Sequence, residues 1–265
     1  MKKNFQYLIH IRFLGFRFHG WSKQTGLKTV HSMVDKTVAF VLQHDSFKTL
    51  GSSRTDARVS AESFYVALYL DDALDNLNEF LDLLNLNFPT DIEAMELQEV
   101  SPDFNVIQSA KTKEYLYLFA PHCKGHPFSA SLVTMIPDEL DLDQMKAGAK
   151  LFKGTHNFQN YVTKPNEKTE LVRTVSQSDI IPNRFYQSSF FPSEVFAFQL
   201  ESSGFMRNQV RLMMGQLLEL GKGHISLNDL ADSLENKRSQ PFKTIAPASG
   251  LILWKTYLIE FIQKP

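Results

Sequence analysis

The sequence predicts an α+β chain folded as two lobes, and three observations carry that expectation. Segments with two-residue apolar alternation, such as Phe5, Tyr7, Ile9, Ile11 and Phe13 against Gln6, His10 and Arg12, read as half-buried strands. Between such segments lie stretches whose apolar residues recur every three or four positions, the mark of helices with one buried face. A turn-rich break at Ser101-Pro102-Asp103-Phe104-Asn105 divides the 265 residues, giving an N-terminal lobe over 1–104 and a C-terminal lobe over 105–265.

Composition narrows the class of protein. Hydrophobic residues make up 43% of the chain, enough for a sizeable core. No apolar run approaches the ~20 residues a membrane helix needs, and Met1-Lys2-Lys3-Asn4-Phe5-Gln6 lacks a signal peptide's apolar centre, so a cytoplasmic protein with no membrane partner is expected. The single Cys123 excludes an internal disulfide and a multi-cysteine zinc site. A net charge of −1 gives no global sign of nucleic-acid binding. The distribution differs from the total: acids crowd into 71–99, whereas Lys111, Lys113, Lys150, Lys153, Lys164, Lys168, Arg173, Arg207 and Arg211 lie in the second half.

In chain order, the strand from Phe5 to Phe13 is closed by Gly15 and Gly20. Phe16-Arg17-Phe18-His19-Gly20-Trp21 mixes rings with cationic groups; it reads either as a surface that stacks bases or as a packed aromatic corner. Thr29 opens a helix with Val30, Met33, Val34, Thr37, Val38 and Val41 on one face. The stretch Leu50-Gly51-Ser52-Ser53-Arg54-Thr55-Asp56-Ala57-Arg58-Val59-Ser60-Ala61 joins two strands, and its Gly, Ser and Thr residues favour turns over ladders. An arginine and a carboxylate held two residues apart at a strand edge make it the candidate site. A second helix is expected from Asp71 to Leu84, with Leu74, Leu77, Leu81 and Leu84 inward, followed by a turn and a strand through Met95 and Leu97.

Beyond the break, Ser109 to Leu118 starts a strand with Tyr115 and Tyr117 on one face. His122-Cys123-Lys124-Gly125-His126 has three potential ligands but no partner cluster, and is read as a surface turn with no metal. Asp143 to Phe152 is a helix ended by Gly154, and strands open at Arg173 and Val195. Phe205 to Gly223 reads as a helix with Val210, Met214, Leu217 and Leu218 buried and Gly221 as its cap; Arg207 and Arg211, four apart, share a face there. Ser226 and Asp229 form a capping-box pair, and a last strand runs to Phe261.

Several of these segments together resemble the tRNA pseudouridine synthase A family. Ser53-Arg54-Thr55-Asp56-Ala57, with Val59 and Ala61, is similar to its catalytic G-R-T-D-A-G-V-H-A, and Leu14-Gly15-Phe16-Arg17-Phe18-His19-Gly20-Trp21-Ser22 to its D-G-x-x-F-x-G-W-Q, with the aspartate and the glutamine replaced. Asn87 to Ile92 resembles N-x-x-L-P-x-D-I, the strand at Tyr115 resembles F-S-A-x-x-R-x-Y-x-Y-x-I, and Phe152 to Asn160 resembles L-x-G-x-H-D-F. Phe205 to Gly223 matches F-x-x-x-M-V-R-x-x-x-G-x-L-x-x-V-G-x-G, and Ala246 to Leu253 matches A-P-x-x-G-L-x-L. The matches are collinear along nearly the whole chain.

The resemblance implies a mixed, mainly antiparallel sheet flanked by helices, two lobes forming a central cleft, and a homodimer gripping tRNA. It implies isomerisation of uridine to pseudouridine in the anticodon stem-loop with no cofactor and no metal. By residue, it implies Asp56 as nucleophile, Arg54 beside the extruded base, Tyr115 against the uracil and Arg211 as the cation next to Asp56. Arg17, His19, Trp21, Arg58, Lys111, Lys113 and Arg207 are the expected RNA contacts. The departures are Ser53 and Arg58 for the motif's glycines, Ser60 for its histidine, Ile107 for an arginine and Leu14 for an aspartate. They keep open a catalytically impaired RNA-binding paralogue and a synthase acting at a different RNA position. A carboxylate-based hydrolase would need a second acid, for which Glu62 is the only nearby one in sequence.

Overall fold

Nine residues with alternating apolar side chains are extended where the pattern asks for it, and the first strand, β1, spans Phe5–Phe13. The computed structural model describes residues 3–235, 237 and 241–259. They follow in order as β1, α1 (Val30–Leu42), β2 (Phe47–Gly51), β3 (Ser60–Leu70), α2 (Leu77–Asn87), β4 (Ile92–Glu99) and the single turn α3 (Val106–Ser109). Then come β5 (Ala110–Pro121), β6 (Thr134–Ile136), α4 (Leu142–Leu151), β7 (Gly154–Asn157), β8 (Val172–Pro182) and β9 (Phe196–Ser202). Two helices, α5 (Gln209–Gly221) and α6 (Leu227–Leu234), and a strand, β10 (Leu251–Leu258), complete the chain. The class is α+β with mainly antiparallel pairing.

The chain divides into two compact units, Met1–Lys111 with Leu253–Pro265, and Thr112–Ile252. The break read at 101–105 lies a few residues before this division, and the last strand, placed by the sequence in the second lobe, belongs largely to the first unit. Its expected end at Phe261 lies outside the described residues.

In the first unit β1 pairs antiparallel with β3 and with β4, and β2 pairs antiparallel with β3. Ile9 sits opposite Val66 on one side and Leu97 on the other, all buried or nearly so. Thr256 of β10 donates from Oγ1 to the Ser63 carbonyl of β3 at 2.9 Å. Thr29 caps α1 through a reciprocal pair with Ser32, and Val30, Val34, Thr37 and Val38 face inward.

The second helix departs from its expected bounds. Asp71 is tied to Lys3 and to the Ser46 hydroxyl, which holds the chain in a strand-end conformation. The helix starts only where Asn76 can cap it, accepting from the amides of Asn78 and Glu79, and its buried residues are Phe80 and Leu84.

In the second unit β5 pairs antiparallel with β9, β9 with β8 and β8 with β7, while β6 runs parallel to β5. Leu118, Ala120, Val133, Ala197 and Ile252 form one core cluster. Helices α4, α5 and α6 pack with Met145, Leu217 and Leu230 fully buried, and Tyr161 reaches the Ser233 hydroxyl at 2.6 Å. The expected box of Ser226 and Asp229 caps α6. Among the described residues no helix is long and apolar enough to cross a membrane.

Candidate active site

The connection between β2 and β3 carries Arg54 and Asp56, and its shape is imposed by main-chain bonds from residues 15–21. The amide of Trp21 donates to the Thr55 carbonyl at 3.2 Å, and that of Arg58 donates to the Phe18 carbonyl at 3.0 Å. The Gly15 amide donates to the Ser60 hydroxyl at 2.9 Å, and Val59 closes a tight turn onto the Asp56 carbonyl at 3.2 Å. At the loop's start, Ser52 donates to the Tyr65 carbonyl and accepts from the Tyr65 amide.

Gly20 makes this bracing possible. Its φ is +82°, and a Cβ there would stand 2.5 Å from the Thr55 carbonyl oxygen, where no side chain fits. Arg58 occupies the left-handed region at φ 69°, at the position of a glycine in the resembled motif. Its guanidinium lies 4.9 Å from the centre of the Phe16 ring. Ser60, in place of the motif's histidine, is buried and serves as the acceptor for Gly15. Within this frame Asp56 is partly buried, while Arg54 and Arg58 are exposed.

The Phe16–Trp21 segment divides between its two readings. Trp21 is only 3% exposed: its ring stacks on His31 at 4.8 Å and packs against Phe64 at 4.3 Å. The expectation that Trp21 offers a base-stacking surface is therefore corrected; the ring lies against Gly51 and supports the loop from beneath. His31 beneath it has its imidazole pushed below the usual range by burial, against the pull of Asp35. Arg17 is exposed and paired with Asp91, and His19 is exposed.

In the second unit Tyr115 lies opposite Leu200 in the β5–β9 ladder, nearly buried, its ring edge-on to Phe205 at 5.3 Å. Two residues on, Tyr117 is fully buried and bonded to the Thr134 hydroxyl and the Pro247 carbonyl, both at 2.9 Å. Burial pushes the Tyr117 phenol well above its usual range, with the Thr134 bond and the Arg211 charge opposing. Lys113 is partly buried, which lowers its ammonium from the usual value, and Lys111 is exposed.

Arg211 stands in the first turn of α5. Its Nε donates to the Ala246 carbonyl at 2.8 Å and an Nη to the Asn208 side-chain oxygen at 3.2 Å, while the Ala246 amide returns a bond to the Arg211 carbonyl at 3.0 Å. The Ala246-Pro247 segment therefore orients both Arg211 and Tyr117. Gly215 lets it approach, because a Cβ there would overlap the Thr244 carbonyl.

The shared face expected for Arg207 and Arg211 is not formed. Asn208 adopts φ 59° and the helix begins only at Gln209, so Arg207 lies outside it, exposed, with its carbonyl accepting from Thr163. Gly221, expected as the cap, is the last residue of α5 and lies against Met145; the positive φ that follows the helix belongs to Gly223. Sequence reasoning missed Asn208, whose amide also donates to Thr163 Oγ1 at 2.8 Å. An asparagine just ahead of an apolar helical run was the available signal, since Asn tolerates the left-handed region better than other side chains.

Residues 149–257 match the family described as tRNA pseudouridine synthase. A tRNA pseudouridine synthase A of Exiguobacterium sibiricum is 30% identical over 94% of this chain and 95% of its own length. One from Staphylococcus aureus is 31% identical over 96% of this chain and 92% of its own, and one from Listeria monocytogenes 29% identical over 94% and 98%. Identity of this extent, spanning both units nearly end to end, places the chain in the tRNA pseudouridine synthase A family.

Proposed function

We propose that this chain isomerises uridine to pseudouridine in the anticodon stem-loop of tRNA, with the Asp56 carboxylate as nucleophile. In that reaction the C1′–N1 bond breaks, the uracil turns and a C1′–C5 bond forms; C5 gives up a proton and N1 gains one. The exchange is redox-neutral and internal to one nucleotide, so the reading calls on no cofactor or metal. Asp56 attacks C6 of the base or C1′ of the ribose, and must be ionised to do so. Arg54 beside the extruded base, Tyr115 on the uracil and Arg211 as the guanidinium partner complete the proposed site. Arg17, His19, Arg58, Lys111, Lys113 and Arg207 are the proposed phosphate and sugar contacts. A cytoplasmic homodimer is the proposed working form.

The observation that carries the reading is a partly buried aspartate in a turn pinned on both sides by main-chain bonds, in a chain of this family. Such a turn holds a carboxylate at fixed geometry without side-chain rearrangement. The departures at Arg58 and Ser60 are compatible with it: Arg58 adopts the positive φ a glycine would, and Ser60 ties the loop to Gly15. This favours turnover over the impaired, RNA-binding alternative.

The test uses unmodified tRNA carrying tritium at uridine C5. Turnover releases the label to water, and chemical mapping of the product should place pseudouridine in the anticodon stem-loop. Label released with pseudouridine mapped elsewhere would overturn the target, and tight tRNA binding without release would overturn the activity.

A further inference from the structure

The segment His122–His126, a surface turn without a role in the reading above, lies beside a second ring-rich loop. The turn enters a short 3-10 helix, Pro127–Ser129, and Phe128 on it is 72% exposed. Its ring meets His126 at 5.0 Å and Phe190 at 6.2 Å, and Phe190 in turn meets Phe191 at 5.7 Å. Phe190 and Phe191 belong to the connection between β8 and β9, whose inner residues Phe185 and Tyr186 pack on the Leu118 cluster. Phe191 packs on that cluster too, which anchors the loop; Phe190 is half-buried, and His126 and Phe128 are the exposed rings.

We infer that Phe128, His126 and Phe190 form an aromatic platform that stacks unpaired bases of the tRNA substrate. A patch of exposed rings on a folded unit marks an interaction surface, and the local chemistry selects the partner. Residues 122–131 and 183–195 contain the cations Lys124 and Arg184 against Glu194 alone, in a chain whose net charge is −1. A locally positive, ring-bearing surface suits a polyanion with exposed π faces, which single-stranded nucleotides are. Arg184, on the same loop, is exposed, its guanidinium 5.8 Å from the half-buried Phe185 ring, and offers a cation to the nucleotide backbone.

The platform is also preformed. The His126 ring nitrogen accepts from the Phe128 amide at 3.2 Å and the Ser129 hydroxyl donates to the His126 carbonyl at 2.6 Å, so the rings are ordered before RNA arrives.

The inference rests on the tRNA reading above, and its test separates the two. Anisotropy titrations of the full chain with labelled unmodified tRNA should show Phe128→Ala raising Kd about tenfold, while label release at saturating tRNA is unchanged. Phe128 is too exposed for its loss to unfold the protein. Phe128→Trp should restore the affinity, and its added indole fluorescence should be quenched by tRNA.

An unchanged Kd overturns the platform, as does a raised Kd accompanied by a changed sedimentation coefficient of the free protein, which would assign the surface to a second copy of the chain. Wild-type protein that binds tRNA without releasing label defeats the isomerase reading and leaves the platform standing. Wild-type turnover with unaltered Phe128→Ala binding does the reverse, and a wild-type chain that does not bind tRNA removes both.

Discussion

Two segments of this protein each hold a non-glycine residue in the left-handed region beside a proposed site residue, and they do so by different means. Arg58, two residues after Asp56, has φ 69°; Asn208, three residues before Arg211, has φ 59°. For an arginine that conformation costs about 1–2 kcal/mol, and it is imposed from outside, by the Phe18 carbonyl on its amide, with the Phe16 ring under its guanidinium offsetting part of the cost. Asn208 suits the conformation itself and adds bonds from its side chain to Arg211 and Thr163. The aspartate loop is therefore a shape maintained by its neighbours, whereas the arginine turn is maintained by its own side chains.

If that distinction holds, the loop is most vulnerable at the neighbour rather than within itself. Gly20→Ala puts a methyl into the Thr55 carbonyl at a positive φ, and should lower stability by about 2–4 kcal/mol and abolish label release. Urea denaturation and the release assay read the two effects; near-normal turnover would mean that residues 15–21 do not set the loop's shape.

The arginine turn should instead break from within. Arg211→Lys keeps the charge but loses the paired bonds to Ala246 and Asn208, a loss of about 1.5–3 kcal/mol that the same denaturation series measures. A stability within error of wild type would show those bonds to be incidental.

Smaller effects sharpen the contrast at Arg58. Arg58→Ala retains the strained φ and loses the ring contact, and should cost about 0.5–1 kcal/mol. Arg58→Gly relieves the strain as it loses the same contact, and should be neutral or slightly stabilising. Equal costs for the two variants would contradict a strained arginine.

The smallest expected effect is a pH dependence beneath the loop. His31, stacked under Trp21, binds its proton more weakly when folded than in the unfolded chain, so the unfolded state takes up the proton first as pH falls through about 6.5. Stability should therefore decline below that pH and level off once the folded form also titrates. His31→Gln should shrink the difference between denaturation midpoints at about pH 7.5 and about pH 5.5. An undiminished difference would move its origin to other groups, such as His10, which burial shifts in the same direction.

What was legible in the sequence was local. The alternation in Phe5–Phe13 and the caps at Thr29 and Ser226 need only near neighbours, and the elements form where those signals lie. A carboxylate within a Gly- and Ser-rich turn between strands was equally readable, because the turn chemistry sits in the same dozen residues.

The misreadings arose where a remote group decides. Asp71–Asp75 fit a helical pattern, yet Lys3 and Ser46 hold Asp71 back and Asn76 sets the start. Trp21 is buried because Gly51 and Phe64 leave a place for its ring, which nothing near Trp21 in the chain reveals. Arg207 and Arg211 have helical spacing, but one asparagine's backbone conformation removes Arg207 from the helix.

The central claim, that the Asp56 carboxylate performs the chemistry and the surrounding loop only holds it, is tested most directly by comparing Asp56→Asn with wild type for both tRNA affinity and tritium release. The account predicts a Kd within about twofold of wild type and no release above background, since the amide keeps the shape and loses the nucleophile. Release at a rate comparable to wild type would contradict it.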